Sequence, residues 1–198
     1  MKRRSLSLIL CALGACGRGS TPPPKAAPTP VSKVAETASA EEIDKLWDQA
    51  VKDVRHGKWN DAIKRLERAQ LEFPPGDPRV PQAHLWEGEA YLATGSNLEA
   101  AREFRKASDD TPNDPLAPQA LLRVGDAYAE LWRRPELDPS YGQTALATYQ
   151  ELLNRYPGTP AAKQAQQRIE ELKERFAYKE YKAALYYMRL KEIGRAHV

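Results

Sequence analysis

Proline spacing is the strongest constraint on what this 198-residue chain can fold into. Eleven of its 16 prolines fall in four clusters: Pro74, Pro75, Pro78 and Pro81; Pro112, Pro115 and Pro118; Pro135 and Pro139; and Pro157 and Pro160. A proline lacks an amide donor and clashes with the preceding helical turn, so these clusters mark connections. The proline-free stretches between them have the length of a helix or a helix pair. They are rich in Ala, Leu, Glu, Lys, Arg and Gln, with no alternating β-branched run of strand length. The chain is therefore expected to be all-α. Aligning the connections exposes self-similarity: GKWNDAIKRLERAQLEFP at 57–74, GSNLEAAREFRKASDDTP at 95–112 and GQTALATYQELLNRYP at 142–157.

Each of these segments reads as the second helix of a hairpin. The helices before the second and third place Gly88 with Tyr91 and Gly125 with Tyr128, three apart on one face. This resembles the tetratricopeptide (TPR) pattern, a helical hairpin of about 34 residues. In that reading Gly88 and Gly125 allow the two helices of a hairpin to approach closely, and Ala62, Ala100 and Ala145 seat the second helix on the first. Leu66, Phe104 and Tyr149 fill the space four residues later, Ala69 and Ala107 face the next repeat, and Gly57 turns the first hairpin. Pro74, Pro112 and Pro157 close the three hairpins. The first repeat departs by carrying Ala50 and Asp53 where Gly and Tyr are expected. The third carries about eight extra residues between its helices, an insertion of small entropic cost. From Pro160 onward no breaker occurs for about 30 residues, which predicts one long helix or two nearly continuous ones. Ile169, Leu172, Phe176, Ala183, Tyr187 and Leu190 form one apolar stripe, with Tyr178, Tyr181, Leu185 and Met188 beside it. The expected architecture is a solenoid of about three TPR hairpins plus a long C-terminal helix over residues 40–191.

The N-terminus carries different information. Residues 1–15 set Lys2, Arg3 and Arg4 ahead of a short apolar run, the pattern of a secretory signal. Leu13-Gly14-Ala15-Cys16 resembles the bacterial lipobox, which makes Cys16 the expected lipid-attachment residue. Acyl chains contribute about 0.8 kcal/mol per buried methylene, so several on one cysteine anchor a domain without a spanning helix. Gly17, rather than Asp, after the cysteine favours the outer membrane. Residues 16–39 read as the lipidated cysteine and a Pro-rich disordered tether. The last seven residues, Glu192 to Val198, match the translation of a common sequencing adapter. They are expected to be a non-native tail on a truncated chain.

Charge and chemistry narrow the function. The formal net charge of +3 comes from the first four residues: removing Lys2, Arg3 and Arg4 from 30 basic groups leaves 27 against 27 acidic ones. A balanced body lacks the clustered cationic footprint that nucleic acid requires. With Cys11 and Cys16 as the two cysteines, residues 17–198 hold no thiol for a disulfide, a metal or nucleophilic catalysis. His56, His84 and His197 lie far apart, and no HExxH, G-x-S-x-G, P-loop or GxGxxG occurs. Asp109, Asp110, Asn113 and Asp114 fail the EF-hand pattern, which needs glycine and then glutamate where this chain has other residues. No catalysis, metal, cofactor or small-molecule substrate is expected, apart from the covalent lipid on Cys16. Function then falls to surfaces. The repeat phase puts Trp47, Val51, Arg55, Trp86, Glu89, Arg123, Asp126 and Glu130 on the concave groove, where Trp and Arg are the types that dominate binding energy. Mixed charge with aromatic anchors suits an extended peptide or a partner domain.

The lipobox, the tether and the hairpins lead into YPGTPAAKQAQQRIEELKERFAYKEYKAALYYMRL, whose aromatic run includes Phe176, Tyr178, Tyr181, Tyr186 and Tyr187. Together they resemble the BamD-type TPR lipoproteins of the outer-membrane β-barrel assembly machinery, over about the first three repeats of that family. The resemblance implies a non-enzymatic recognition lipoprotein facing the periplasm. Its implied partners are barrel-assembly subunits and unfolded outer-membrane proteins. The alternative is a periplasmic TPR coordinator of cell-wall synthesis with Tol-Pal envelope constriction, which shares the hairpin wording but usually has no lipobox.

Overall fold

The computed structural model describes the backbone of residues 31–196 and the side chains of residues 40–190. Cys16 and the signal segment lie outside the described residues. Seven helices follow in order: α1 Val31–Arg55, α2 Trp59–Glu72, α3 Val80–Ala93, α4 Asn97–Asp109, α5 Ala117–Leu131, α6 Ser140–Arg155 and α7 Pro160–Ala196. Each packs on its neighbour in sequence, and α3 and α7 also touch α5. The chain is an all-α TPR solenoid with hairpins α1/α2, α3/α4 and α5/α6, followed by α7. The stretch expected as a tether, residues 16–39, is described only from residue 31 on, where it is helical. Helix α1 begins at Val31, because the sequence after Pro30 contains no Pro or Gly and three alanines before Glu41.

The connections follow from local chemistry. Residues Asp77-Pro78 and Asp114-Pro115 repeat the same device. Asp77 accepts the Arg79 amide at 2.9 Å and Asp114 the Leu116 amide at 2.8 Å, and Pro81 and Pro118 then occupy the first helical turn. Thr159 does the same for α7, its Oγ1 accepting the Ala162 amide at 3.2 Å. Gly57 and Gly95 adopt φ of 68° and 83° just after α1 and α3, the left-handed geometry that ends a helix and lets the hairpin reverse.

Inside each hairpin, helix pairs interlock by size. A methyl group at Gly88 would stand 2.6 Å from the Phe104 ring, and one at Gly125 would enter the Tyr149 ring. In the first hairpin the sizes are shifted: Ala50 stands for the glycine and Leu66 for the ring, and Ala50, Leu66, Gly88 and Phe104 are all buried. The missing first-repeat glycine is thus compensated by a smaller partner. Ala62, Ala69, Ala100, Ala107 and Ala145 are buried as the repeat phase requires. Tyr91 and Tyr128 are half-buried, and Pro74, Pro112 and Pro157 sit exposed in the turns.

The insertion in the third hairpin brings in Trp132, which is 1% exposed. Its indole lies where a side chain at Gly142 would be, and it meets Phe176 of α7 at 4.4 Å between ring centroids. Helix α7 is continuous over 37 residues, about 55 Å at 1.5 Å per residue. It extends through Ala196, into the stretch read as a tail. Its apolar stripe divides: Ile169 and Leu172 are buried and Phe176 half-buried, while Tyr178, Tyr181, Tyr186, Tyr187, Met188 and Leu190 are exposed. Among the described residues, no helix is long and apolar enough to cross a membrane.

Candidate functional site

The first helices of the hairpins, α1, α3 and α5, line one side of the array, and α7 continues the row. On α1 and α3 the expected anchors Trp47 and Trp86 stack on each other at 5.2 Å, 21° from parallel, with Phe73 edge-on to Trp47 at 5.8 Å. Much of each ring is spent joining the first two hairpins, because two indoles on successive helices bury more apolar surface against each other than against water. Both remain half-exposed, as does Val51, and Arg55 is exposed.

Farther along, charged residues assemble as a ladder. Arg123 donates from Nε to Glu89 at 2.6 Å, a second guanidinium nitrogen also bonding Glu89, and it reaches Asp126 at 3.2 Å. Asp126 also accepts the Tyr149 hydroxyl at 2.8 Å and faces Arg168 of α7 at 3.3 Å. Burial alone would make the Arg123 cation less favourable, but the hydrogen bonds and charges of Glu89 and Asp126 together outweigh this and strengthen its hold on the proton. Burial, then the Asp126 charge, pushes the Tyr149 phenol far above its usual range, so it stays a donor. Glu130 forms its own pair with Arg133 at 2.6 Å, yet lines the same cleft of about 190 Å³ with Arg123, Arg168, Glu171 and Arg175. Surface pairs of this kind contribute about 0–1 kcal/mol each. The ladder's main effect is therefore geometric: it presents fixed donors and acceptors along a shallow groove. Sequence reasoning found the α3 and α5 members by phase and missed Arg168, Glu171 and Arg175. Reading α7 as the next first helix of the array would have found them.

A second polar group lies where α3 meets α2 and α4. His84 Nδ1 and Glu103 Oε2 are 2.8 Å apart, Lys106 donates to the other Glu103 oxygen at 2.7 Å, and Gln70 donates to Glu87. His84, Glu87 and Glu103 are all buried. Burial, and next the Glu103 charge, push the Glu87 carboxyl up to about 7. Burial would also raise Glu103, but the His84 and Lys106 hydrogen bonds hold it below the usual range. Sequence spacing separated these groups, since Glu103 reaches His84 only through the α3/α4 hairpin.

Stacked helical hairpins with a side-chain-lined groove define a scaffold of the TPR class. Residues 39–196 match YfiO, a family of outer membrane lipoproteins, and the chain belongs to that family. No curated protein matches the chain. Among solved structures, the Arabidopsis OM64 TPR domain is 20% identical, with a TM-score of 0.49 over 67% of this chain and 98% of that one. MamA is 18% identical, with a TM-score of 0.47 over 78% of this chain and 87% of its own.

Proposed function

We propose that this protein is a non-catalytic recognition lipoprotein of outer-membrane β-barrel assembly. In this reading lipid on Cys16 holds it to the outer membrane from the periplasmic side, and the groove binds an extended client segment or a machinery subunit. The observation that carries the groove's part is the Glu89–Arg123–Asp126–Arg168 ladder, contributed by three successive inner helices and open to a cleft. Alternating acceptors and donors at fixed spacing match the backbone and polar side chains of an extended peptide. The half-exposed Trp47–Trp86 stack offers apolar surface at the other end of the same side. Family membership supports the membrane and the lipid.

The test is recovery of partners from detergent-solubilised envelopes with the wild type, Cys16→Ala and the double variant Arg123→Glu/Arg168→Glu. Barrel-assembly subunits are expected with the wild type. The charge reversal should reduce their recovery about tenfold, as expected for loss of a binding hot spot. Cys16→Ala should leave the protein soluble in the periplasm and depleted of the complex. Recovery of peptidoglycan synthases or Tol components in place of barrel-assembly subunits would overturn the reading in favour of a coordinator of envelope constriction.

A further inference from the structure

The repeats provide their own control for the buried polar group on α3 and α4. Aligning Gly88 with Gly125 and Phe104 with Tyr149 puts His84, Glu87 and Glu103 in register with Leu121, Val124 and Thr148. In the third hairpin those positions are buried and carry no charge, which shows that the fold packs well without ionisable groups there. The second hairpin instead buries two carboxylates and an imidazole, an arrangement that costs several kcal/mol per unpaired charge, roughly, unless something compensates it. Lys106, half-exposed, answers Glu103. Among the described residues, Glu87 accepts a hydrogen bond from the neutral amide of Gln70, which leaves its charge unbalanced.

We propose that His84, Glu87 and Glu103 form a site for one divalent transition-metal cation, Zn²⁺ by ligand type, fixed between α3 and α4. One donor atom from each residue lies within 4.8 Å of the other two. Ligands at about 2.0–2.1 Å in a tetrahedral site stand about 3.3 Å apart, so small rotamer changes suffice. His84 and Glu87 are three apart on α3 and project to the same face, the spacing used by helical carboxylate–histidine metal sites. Glu103 presents Oε2 beside the imidazole while Oε1 is held by Lys106, and Gln70 steadies Glu87. These contacts are the outer supports that orient ligands in metal sites. Two carboxylates and an imidazole are the hard and borderline donors that a divalent cation such as Zn²⁺ takes, and the cation supplies the positive charge that Glu87 lacks among its neighbours. An open cleft of about 550 Å³, lined by Tyr91 and Glu67 among others, admits the ion and a water as fourth ligand.

The experiment uses the untagged chain, stripped with chelator and titrated with Zn²⁺ against a chromophoric chelator, with thermal unfolding followed in parallel. One Zn²⁺ per chain is expected, with a melting temperature that rises with metal concentration. Glu87→Gln should weaken binding at least about tenfold. The triple variant His84→Leu/Glu87→Val/Glu103→Thr transplants the third hairpin's residues and should fold, melt at or above the metal-free wild type and ignore Zn²⁺. Co²⁺ loading of the wild type gives a reading independent of any variant, as visible d–d absorption of a low-coordinate nitrogen–oxygen site. Absence of saturable binding, or one Zn²⁺ per chain retained by the triple variant, would overturn the proposal.

Discussion

Phe104, Tyr149 and Leu66 occupy one register, and the residue facing each is matched to it in size. Gly88→Ala should cost about 1–3 kcal/mol, because a methyl group cannot fit beside the Phe104 ring without displacing it. Adding Phe104→Leu should recover most of that loss, since Ala50 with Leu66 is the pairing the first hairpin already uses. A double-mutant cycle in urea measures the coupling, and additivity of the two substitutions would refute size matching. Electrostatics gives a second prediction at this scale. Burial works to raise the Glu151 carboxyl, but hydrogen bonds from Arg105 at 2.7 Å and Arg155 at 2.8 Å hold it below its ordinary 4.5. A depressed carboxylate contributes stability above its unfolded value and loses it as pH falls through the folded one. The difference in urea midpoint between wild type and Glu151→Gln should therefore be present at neutral pH and vanish in acid below 4.5. The pair is half-exposed, so the difference is small, about 0–1 kcal/mol.

Helix α7 shows which parts of an element a sequence reveals. About 30 residues of it were legible because no proline or glycine follows Pro160 before Gly194, and its stripe was legible from period, whereas its being a single helix reaching Ala196 was not. Where the stripe stops being covered was not, because Phe176 meets Trp132, a residue delivered by the inserted loop. Local pattern cannot show that contact. The same holds for the groove: phase found Glu89, Arg123, Asp126 and Glu130, whereas the stacking of Trp47 on Trp86 and the arrival of Arg168 depend on how hairpins rotate relative to one another. His84 stands isolated in the sequence because its carboxylate partner is 19 positions away, on the other arm of a hairpin. Truncation separates the two halves of α7. Ending the chain after Lys182 should leave thermal unfolding nearly unchanged, since most of the described side chains beyond it, at residues 183–190, are exposed. Ending it before Phe176 uncovers Trp132 and should lower the melting temperature by several degrees, about what loss of 1–2 kcal/mol produces in a domain of this size.

Across the whole molecule, each hairpin touches its neighbours and little else, so stability is a sum of hairpin and interface contributions. Trp47→Ala removes a ring that touches both Phe73 and Trp86, and should loosen the first hairpin selectively. Hydrogen exchange should quicken in α1 and α2 and stay slow in α5 and α6; uniform quickening would show that the array unfolds as one unit. The same arrangement divides α7 in two: Ala161, Ala162, Ala165, Ile169 and Leu172 are buried in the array, while Tyr178, Tyr181, Tyr186, Tyr187, Met188 and Leu190 beyond Phe176 are exposed. About 30 Å of one continuous helix, residues 177–196, follows the last core contact. The distance from the groove to each of those exposed rings is therefore set by helical rise and not by the play of a loop.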